Sequence, residues 1–402
     1  MQNSFAGLIP SSGVSRPLKD SLRPNPAVND PARQVAAEAM GTSPEALVGP
    51  WQTYLDPARF LEALVRQSAL RMSRFVTGVR AYQSHPHQRR CAAAPVIWHQ
   101  GAAGLSSAGG AGPAVLYVPS LVNRAYILDL AADRSLLRTS AQNGLTAYLL
   151  DWGDPADQER GFTLTDYMQK VLIPAMEKVA ELSGGPIRLA GYCMGGTLTA
   201  AAAVLRPDLI SGLALLAAPW DFHTESAASR ALMTAMQTPL SAMIDAEGVA
   251  SVDLLQALFA SLDPTLAGRK FRAFADLDPS SEEALRFIEL EDWLNEGVPL
   301  AGPVMKEVLM QWYGANEPAR GAWRMAETII DPGRIGCPTL ALIPGQDRIV
   351  PPDSARALAQ AIPHAVIRDV PFGHIGMMAG SSAPRRVYAP LIDWLRAPTM
   401  NA

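Results

Sequence analysis

The hexapeptide Gly191-Tyr192-Cys193-Met194-Gly195-Gly196 directly follows the apolar run Ile187-Arg188-Leu189-Ala190 and precedes a small-residue stretch, Thr197 to Leu205. A thiol in that setting can act as a nucleophile. A buried strand that turns sharply into a helix leaves one side chain exposed at the apex, and glycines two residues to either side keep a Cβ from colliding with the neighbouring strand or helix. The helix that follows points its N-terminus at the sulfur, where its dipole and free N–H groups favour a thiolate and an oxyanion. A free cysteine in an ordinary Gly-rich turn is the competing explanation. The joint presence of apolar strand, G-x-C-x-G-G and Ala-rich helix favours the nucleophile.

A nucleophilic thiol needs a base and a group to orient that base. Pro338 to Pro344 reads as a buried strand, and Gly345-Gln346-Asp347-Arg348 leaves its end, so Asp347 is expected at the edge where open α/β sheets place ligands. Ala365 to Val370 reads as another short strand, followed by Phe372-Gly373-His374-Ile375. Of six histidines in the chain, His374 alone occupies this slot, which makes it the expected general base. The order nucleophile, acid, histidine on successive strand ends predicts an α/β-hydrolase fold with a mainly parallel sheet.

Composition narrows the function classes. At 402 residues the chain exceeds one usual core, so a cap or helical appendage is expected. The formal net charge is −4 with both signs interspersed, which argues against a nucleic-acid partner. No run of about 18 apolar residues suggests a membrane span, and no basic-then-apolar opening suggests a secretory signal. Cys91, Cys193 and Cys337 cannot all pair and lack metal-ligand spacing, so no metal is expected and a reducing cytoplasm fits best.

Residues 1–42 mix Ser, Pro, Asn and Ala without periodicity and read as a mobile tail. Residues 43–100 are expected to form an N-terminal helical region. Ser43-Pro44-Glu45 suits a helix start, Leu61, Leu64, Val65, Leu70 and Met72 recur at helical spacing, and Trp51 and Tyr54 are expected to pack in a core. Gly101 to Pro113 reads as a flexible loop or hairpin tip. Strand patterns at Ala114–Val118, Ala147–Trp152 and Gly212–Ala217 alternate with helical segments, which places a hydrolase core at 101–223 and 332–402. From 224 to 331 the alternation stops, and an inserted helical cap is expected there. Within it Trp293 is a candidate for lining a substrate channel. His223 reads as a hydrogen-bonded loop residue, Cys337 as inert packing, and Asp129 and Asp151 as loop anchors.

Leu121-Val122-Asn123-Arg124-Ala125-Tyr126-Ile127-Leu128-Asp129-Leu130, Tyr148 to Gly153, Gly191 to Gly196 and Gly373-His374-Ile375-Gly376 together resemble the polyhydroxyalkanoate synthases. The likeness runs from about Ala114 to Leu395. It is closest to the short synthases that act with a helper subunit, since the long single-subunit ones carry a larger N-terminal region. One departure is clear: synthases of this family usually have His after the triad Asp, and this chain has Arg348, which cannot accept a proton at neutral pH.

The resemblance implies thiol-templated acyl transfer. Cys193 would attack the thioester of an (R)-3-hydroxyacyl-CoA and release CoA, with His374 as base and Asp347 orienting it. The oxyanion would be held by the backbone N–H groups of Met194 and Val122. No cofactor is expected beyond the CoA thioester substrate. The expected partners are acyl-CoA, the polyester product, a helper subunit and further copies of the chain, at the surface of cytoplasmic polyester granules. Two other readings fit the same residues. One is a hydrolase, either a thioesterase or an intracellular depolymerase, with water as acceptor; the other is a non-catalytic granule-associated protein.

Overall fold

Alternate residues of the central strands are apolar and enter different sides of one sheet. Leu116, Val118, Leu189, Leu213, Leu215 and Ala341 pack into one buried cluster, while Val115, Tyr117, Ala190, Ala214, Leu216, Leu340 and Leu342 pack into a second. A sheet covered on both faces is what near-continuous apolar strands require, and burial of each Val or Leu among them contributes about 1.5–3 kcal/mol. The computed structural model describes residues 57–89, 91–224 and 227–397. The expected tail over 1–42, the helix start at Ser43 and the side chains of Trp51 and Tyr54 lie outside them.

Eight strands form the main sheet: β1 Val96–Gln100, β2 Ala103–Gly109, β3 Ala114–Val118, β4 Thr146–Asp151, β5 Ile187–Tyr192, β6 Ile210–Leu216, β7 Thr339–Pro344 and β8 Val366–Val370. Their order is β1-β2-β4-β3-β5-β6-β7-β8. From β4 to β8 every pairing is parallel, whereas β1 and β2 form an antiparallel hairpin that pairs antiparallel with β4. Two expectations are corrected by that hairpin. The region expected to be helical to residue 100 ends in strand β1, and the Gly/Ala/Ser-rich segment expected to be a flexible loop or hairpin tip supplies a whole strand, β2. Small residues hid the strand because its pairing comes from the backbone, with Ala103 and Leu105 its buried apolar side chains.

The chain divides into two compact units, residues 1–73 and 74–402. Helix α1, Pro57–Gln83, carries Leu61, Leu64, Val65, Leu70 and Met72 as exposed side chains. In the second unit, the elbow strand β5 leads into α2, Met194–Leu205, which is buried throughout its length to Val204. Between β6 and β7 the chain leaves the sheet for a helical segment that includes α3 Ala227–Glu247, α4 Val252–Leu262, α5 Leu266–Phe274 and α6 Glu282–Asn295. No described helix is long and apolar enough to cross a membrane.

Parallel register places four loops at one edge. Val118 pairs beside Gly191, Tyr192 beside Leu216 and Pro344 beside Val370, so the segments after β3, β5, β7 and β8 emerge side by side. Close packing of α2 on this edge demands glycine. A Cβ at Gly195 would fall on the carbonyl oxygens of Val118 and Pro119, which are backbone atoms that cannot swing aside. Gly195→Ala is therefore expected to destabilise the fold by about 1–3 kcal/mol, the usual cost of forced overpacking. Urea unfolding reads this, and an unchanged midpoint would contradict the packing described.

Candidate active site

Cys193 sits between β5 and α2 with φ 56° and ψ −130°, a left-handed conformation unusual for a residue with a Cβ. Its N–H donates to Leu216 O at 2.9 Å and its own carbonyl accepts from Gly196 N–H at 2.8 Å. Both bonds pin the turn, and the thiol remains partly exposed at its apex. Met194 is the first residue of α2, so its N–H has no partner within the helix.

The loops after β7 and β8 are joined to each other by backbone bonds, Gly345 N–H to Val370 O and Gln346 N–H to Phe372 O, both 2.9 Å. This brings Asp347 and His374 together. Asp347 Oδ1 accepts from the N–H groups of Ile349 at 2.8 Å and Val350 at 2.9 Å, which fixes the carboxylate. Asp347 Oδ2 lies 2.6 Å from His374 Nδ1, and both residues are buried. With Nδ1 occupied, Nε2 is left for the sulfur. Burial opposes a charged imidazole, but the Cys193 side chain, the hydrogen bond donated to Asp347 and a hydrogen bond with Cys193 outweigh it and raise the His374 pKa. The three groups expected from sequence thus converge as thiol, imidazole and carboxylate.

The loop after β3 is braced at several points. Trp293 of α6 is buried and donates its indole N–H to Arg124 O at 2.8 Å, so it clamps this loop. Arg124 also pairs with Asp154 at 2.7 Å. Val122, the expected second oxyanion donor, gives its N–H to Ser120 Oγ at 3.1 Å and would be released only by rotation of that hydroxyl. Asp129 anchors the segment by accepting from Ser135 Oγ at 2.6 Å and Arg138 Nε at 2.7 Å, and Asp151 accepts from Gly153 N–H at 3.0 Å.

Residues outside the convergence have structural partners. His223 bonds to Tyr313 O at 3.0 Å. Arg348, mostly exposed, donates to Asp263 Oδ2 at 3.0 Å and ties the Asp347 loop to the end of α4. Tyr192, to which the sequence pattern assigns no role, packs face to face on His374. The signal that could have found it is its place beside the nucleophile on a buried strand. The contact is visible only once the loop after β8 is seen to reach back along the sheet edge to the end of β5.

The α/β hydrolase fold family model matches residues 113–381. Sheet, elbow and match together define an α/β-hydrolase-fold protein. Similar proteins include the poly(3-hydroxyalkanoate) polymerase subunit PhaC of Synechocystis sp., 30% identical over 70% of this chain and 77% of that protein. The PhaC subunit of Allochromatium vinosum is 30% identical over 70% of this chain and 80% of its own length. That of Haloferax mediterranei is also 30% identical over 70% of this chain, although the match spans 58% of the archaeal protein. The chain belongs to the poly(3-hydroxyalkanoate) polymerase family, and it is an enzyme.

The arrangement predicts a ranking of thiols. Burial raises the pKa of Cys91 and of Cys337, whereas Cys193 faces a histidine poised to be cationic. Iodoacetamide at pH 7 should alkylate Cys193 at least about tenfold faster than the other two, because only the thiolate reacts. His374→Gln should erase that preference. Peptide mass spectrometry of a timed reaction checks it, and equal rates at all three thiols in the wild type would contradict the pairing.

Proposed function

We propose that this chain polymerises (R)-3-hydroxyacyl units from CoA thioesters through acyl-Cys193. The observation that carries the reading is membership of the polymerase family combined with an intact thiol at the elbow. Cys193 passes its proton to His374 Nε2, and the thiolate attacks the thioester carbonyl. The oxyanion meets the Met194 N–H and, once Ser120 turns away, the Val122 N–H. Collapse breaks the carbon–sulfur bond to CoA, whose sulfur takes the proton from His374. In the second half, His374 accepts the proton of an incoming 3-hydroxyl, the alkoxide attacks acyl-Cys193, and the thiol is restored. Asp347 holds Nδ1 throughout and stabilises the imidazolium.

A thiolate suits this cycle because it both attacks and leaves well. Transfer must outrun hydrolysis by water at roughly 55 M, which is feasible when the chain hydroxyl is held at the effective molarities reached by oriented groups. We assign that shielding to residues 224–331 as a cap over a core of 101–223 and 332–402. Two contacts support it: Arg348 with Asp263, and Trp293 with Arg124. Trp293 serves the channel through its clamp on the loop rather than as a free lining side chain. The helper subunit, self-association and work at the surface of cytoplasmic polyester granules belong to the same proposal.

With 3-hydroxybutyryl-CoA, ester-linked oligomer should exceed free 3-hydroxybutyrate, either alone or once a helper subunit is supplied. Cys193→Ala should lower CoA release by several orders of magnitude, since triad members act as a unit. Stoichiometric free acid without oligomer under both conditions would make the protein a thioesterase.

A further inference from the structure

Tyr192 closes β5, and its side chain is 3% exposed. Two independent contacts join it to His374. The rings stack with centroids 5.1 Å apart and planes 29° from parallel, and the phenol donates to the backbone oxygen of His374 at 3.1 Å. The tyrosine backbone is fixed by its register opposite Leu216, so both contacts are referred to the rigid centre of the sheet. By contrast, His374 stands in a loop beyond the last strand. Its bonds to Asp347 and Cys193 hold the two ring nitrogens but do not by themselves set the tilt of the ring plane about the line that joins them. Contact with a flat aromatic face removes the tilt, and the bond to the backbone oxygen fixes how deep the loop sits.

We infer that Tyr192 is a positioning residue for His374: its ring sets the plane of the imidazole, its hydroxyl sets the height of the loop, and its π face steadies the imidazolium beside the Cys193 thiolate. This rests on the assignment of Cys193 and His374 as nucleophile and base. The proton involved is the one that moves from Cys193 Sγ to His374 Nε2, and no other bond changes. Burial keeps the phenol well above its ordinary pKa, so it stays a donor across the working range. An aliphatic side chain of similar bulk would fill the space but could neither donate a hydrogen bond nor present an aromatic face to the cation.

The test separates the two contacts. Tyr192→Phe keeps the stack and loses the hydrogen bond. It should slow CoA release about fivefold at unchanged KM, in line with the loss of one neutral hydrogen bond. Tyr192→Leu loses both contacts. It should slow CoA release about 30- to 100-fold, as misplaced catalytic groups do, again with little change in KM. Its pH profile for alkylation of Cys193 by iodoacetamide should also change, the acid limb moving to higher pH because a tilted imidazole takes the sulfur's proton less readily. A merely structural role would lower stability without moving that limb.

Alkylation needs no acyl substrate, so this result is independent of whether the enzyme polymerises or hydrolyses. A limb that moves in His374→Gln but not in Tyr192→Leu would overturn the role of Tyr192 alone. A limb that moves in neither would overturn the Cys193–His374 pair itself. Should Tyr192→Leu fail to fold, Tyr192→Phe decides: CoA release within twofold of wild type overturns the two-point clamp.

Discussion

A single strained residue governs the architecture of the site. Cys193 occupies a left-handed conformation that costs about 1–3 kcal/mol, and such strain persists only where surrounding structure over-determines it. Here the surroundings do so. The N–H of Cys193 extends the β5–β6 ladder to Leu216, its carbonyl starts α2, and Gly195 lets α2 press against the backbone of Val118 and Pro119. Relaxing the turn would withdraw the thiol from the sheet edge. The α2 helix carries small residues for the same reason, since it has to fit between that edge and the core cluster around it.

The electrostatic design follows from burial. An imidazole enclosed among apolar side chains would ordinarily resist protonation. The carboxylate of Asp347, itself held by two backbone N–H groups, and the thiol opposite reverse that preference. A cysteine makes the reversal useful, because an imidazole that readily takes a proton stands opposite the sulfur that must give one up to attack. Arg348 stands next to Asp347 in the chain but is exposed and paired with Asp263. Its contribution is a tether between the loop that carries Asp347 and the helical segment, while the proposed acid–base work is assigned to His374.

How much of this could be read from the chain depends on whether local pattern or distant packing decides. The elbow was legible because glycine spacing, an apolar strand and a small-residue helix all encode one turn. Asp347 and His374 were legible because each follows a short strand, and parallel strands deliver their ends to one edge. A hairpin tip was one reading of Gly101 to Pro113, but its strands were not legible, since Gly, Ala and Ser in β2 carry no alternation and β2 is held by pairing with β1 and β4. Trp293 shows a related limit: an aromatic in a helical insertion looks like a lining residue until its indole is seen bonded to Arg124 O. Ser120 likewise has no sequence mark for its hold on the Val122 amide.

The central claim is that the acyl group passes through the sulfur of Cys193. Rapid quenching of the enzyme with 3-hydroxybutyryl-CoA in acid, followed by proteolysis and peptide mass spectrometry, reads this directly. The account predicts 3-hydroxybutyryl units, one or several, on the peptide carrying Cys193, labile to hydroxylamine and absent from those carrying Cys91 and Cys337. Steady release of CoA with no acyl group on Cys193 at any quench time, or with the label on another residue, would contradict it.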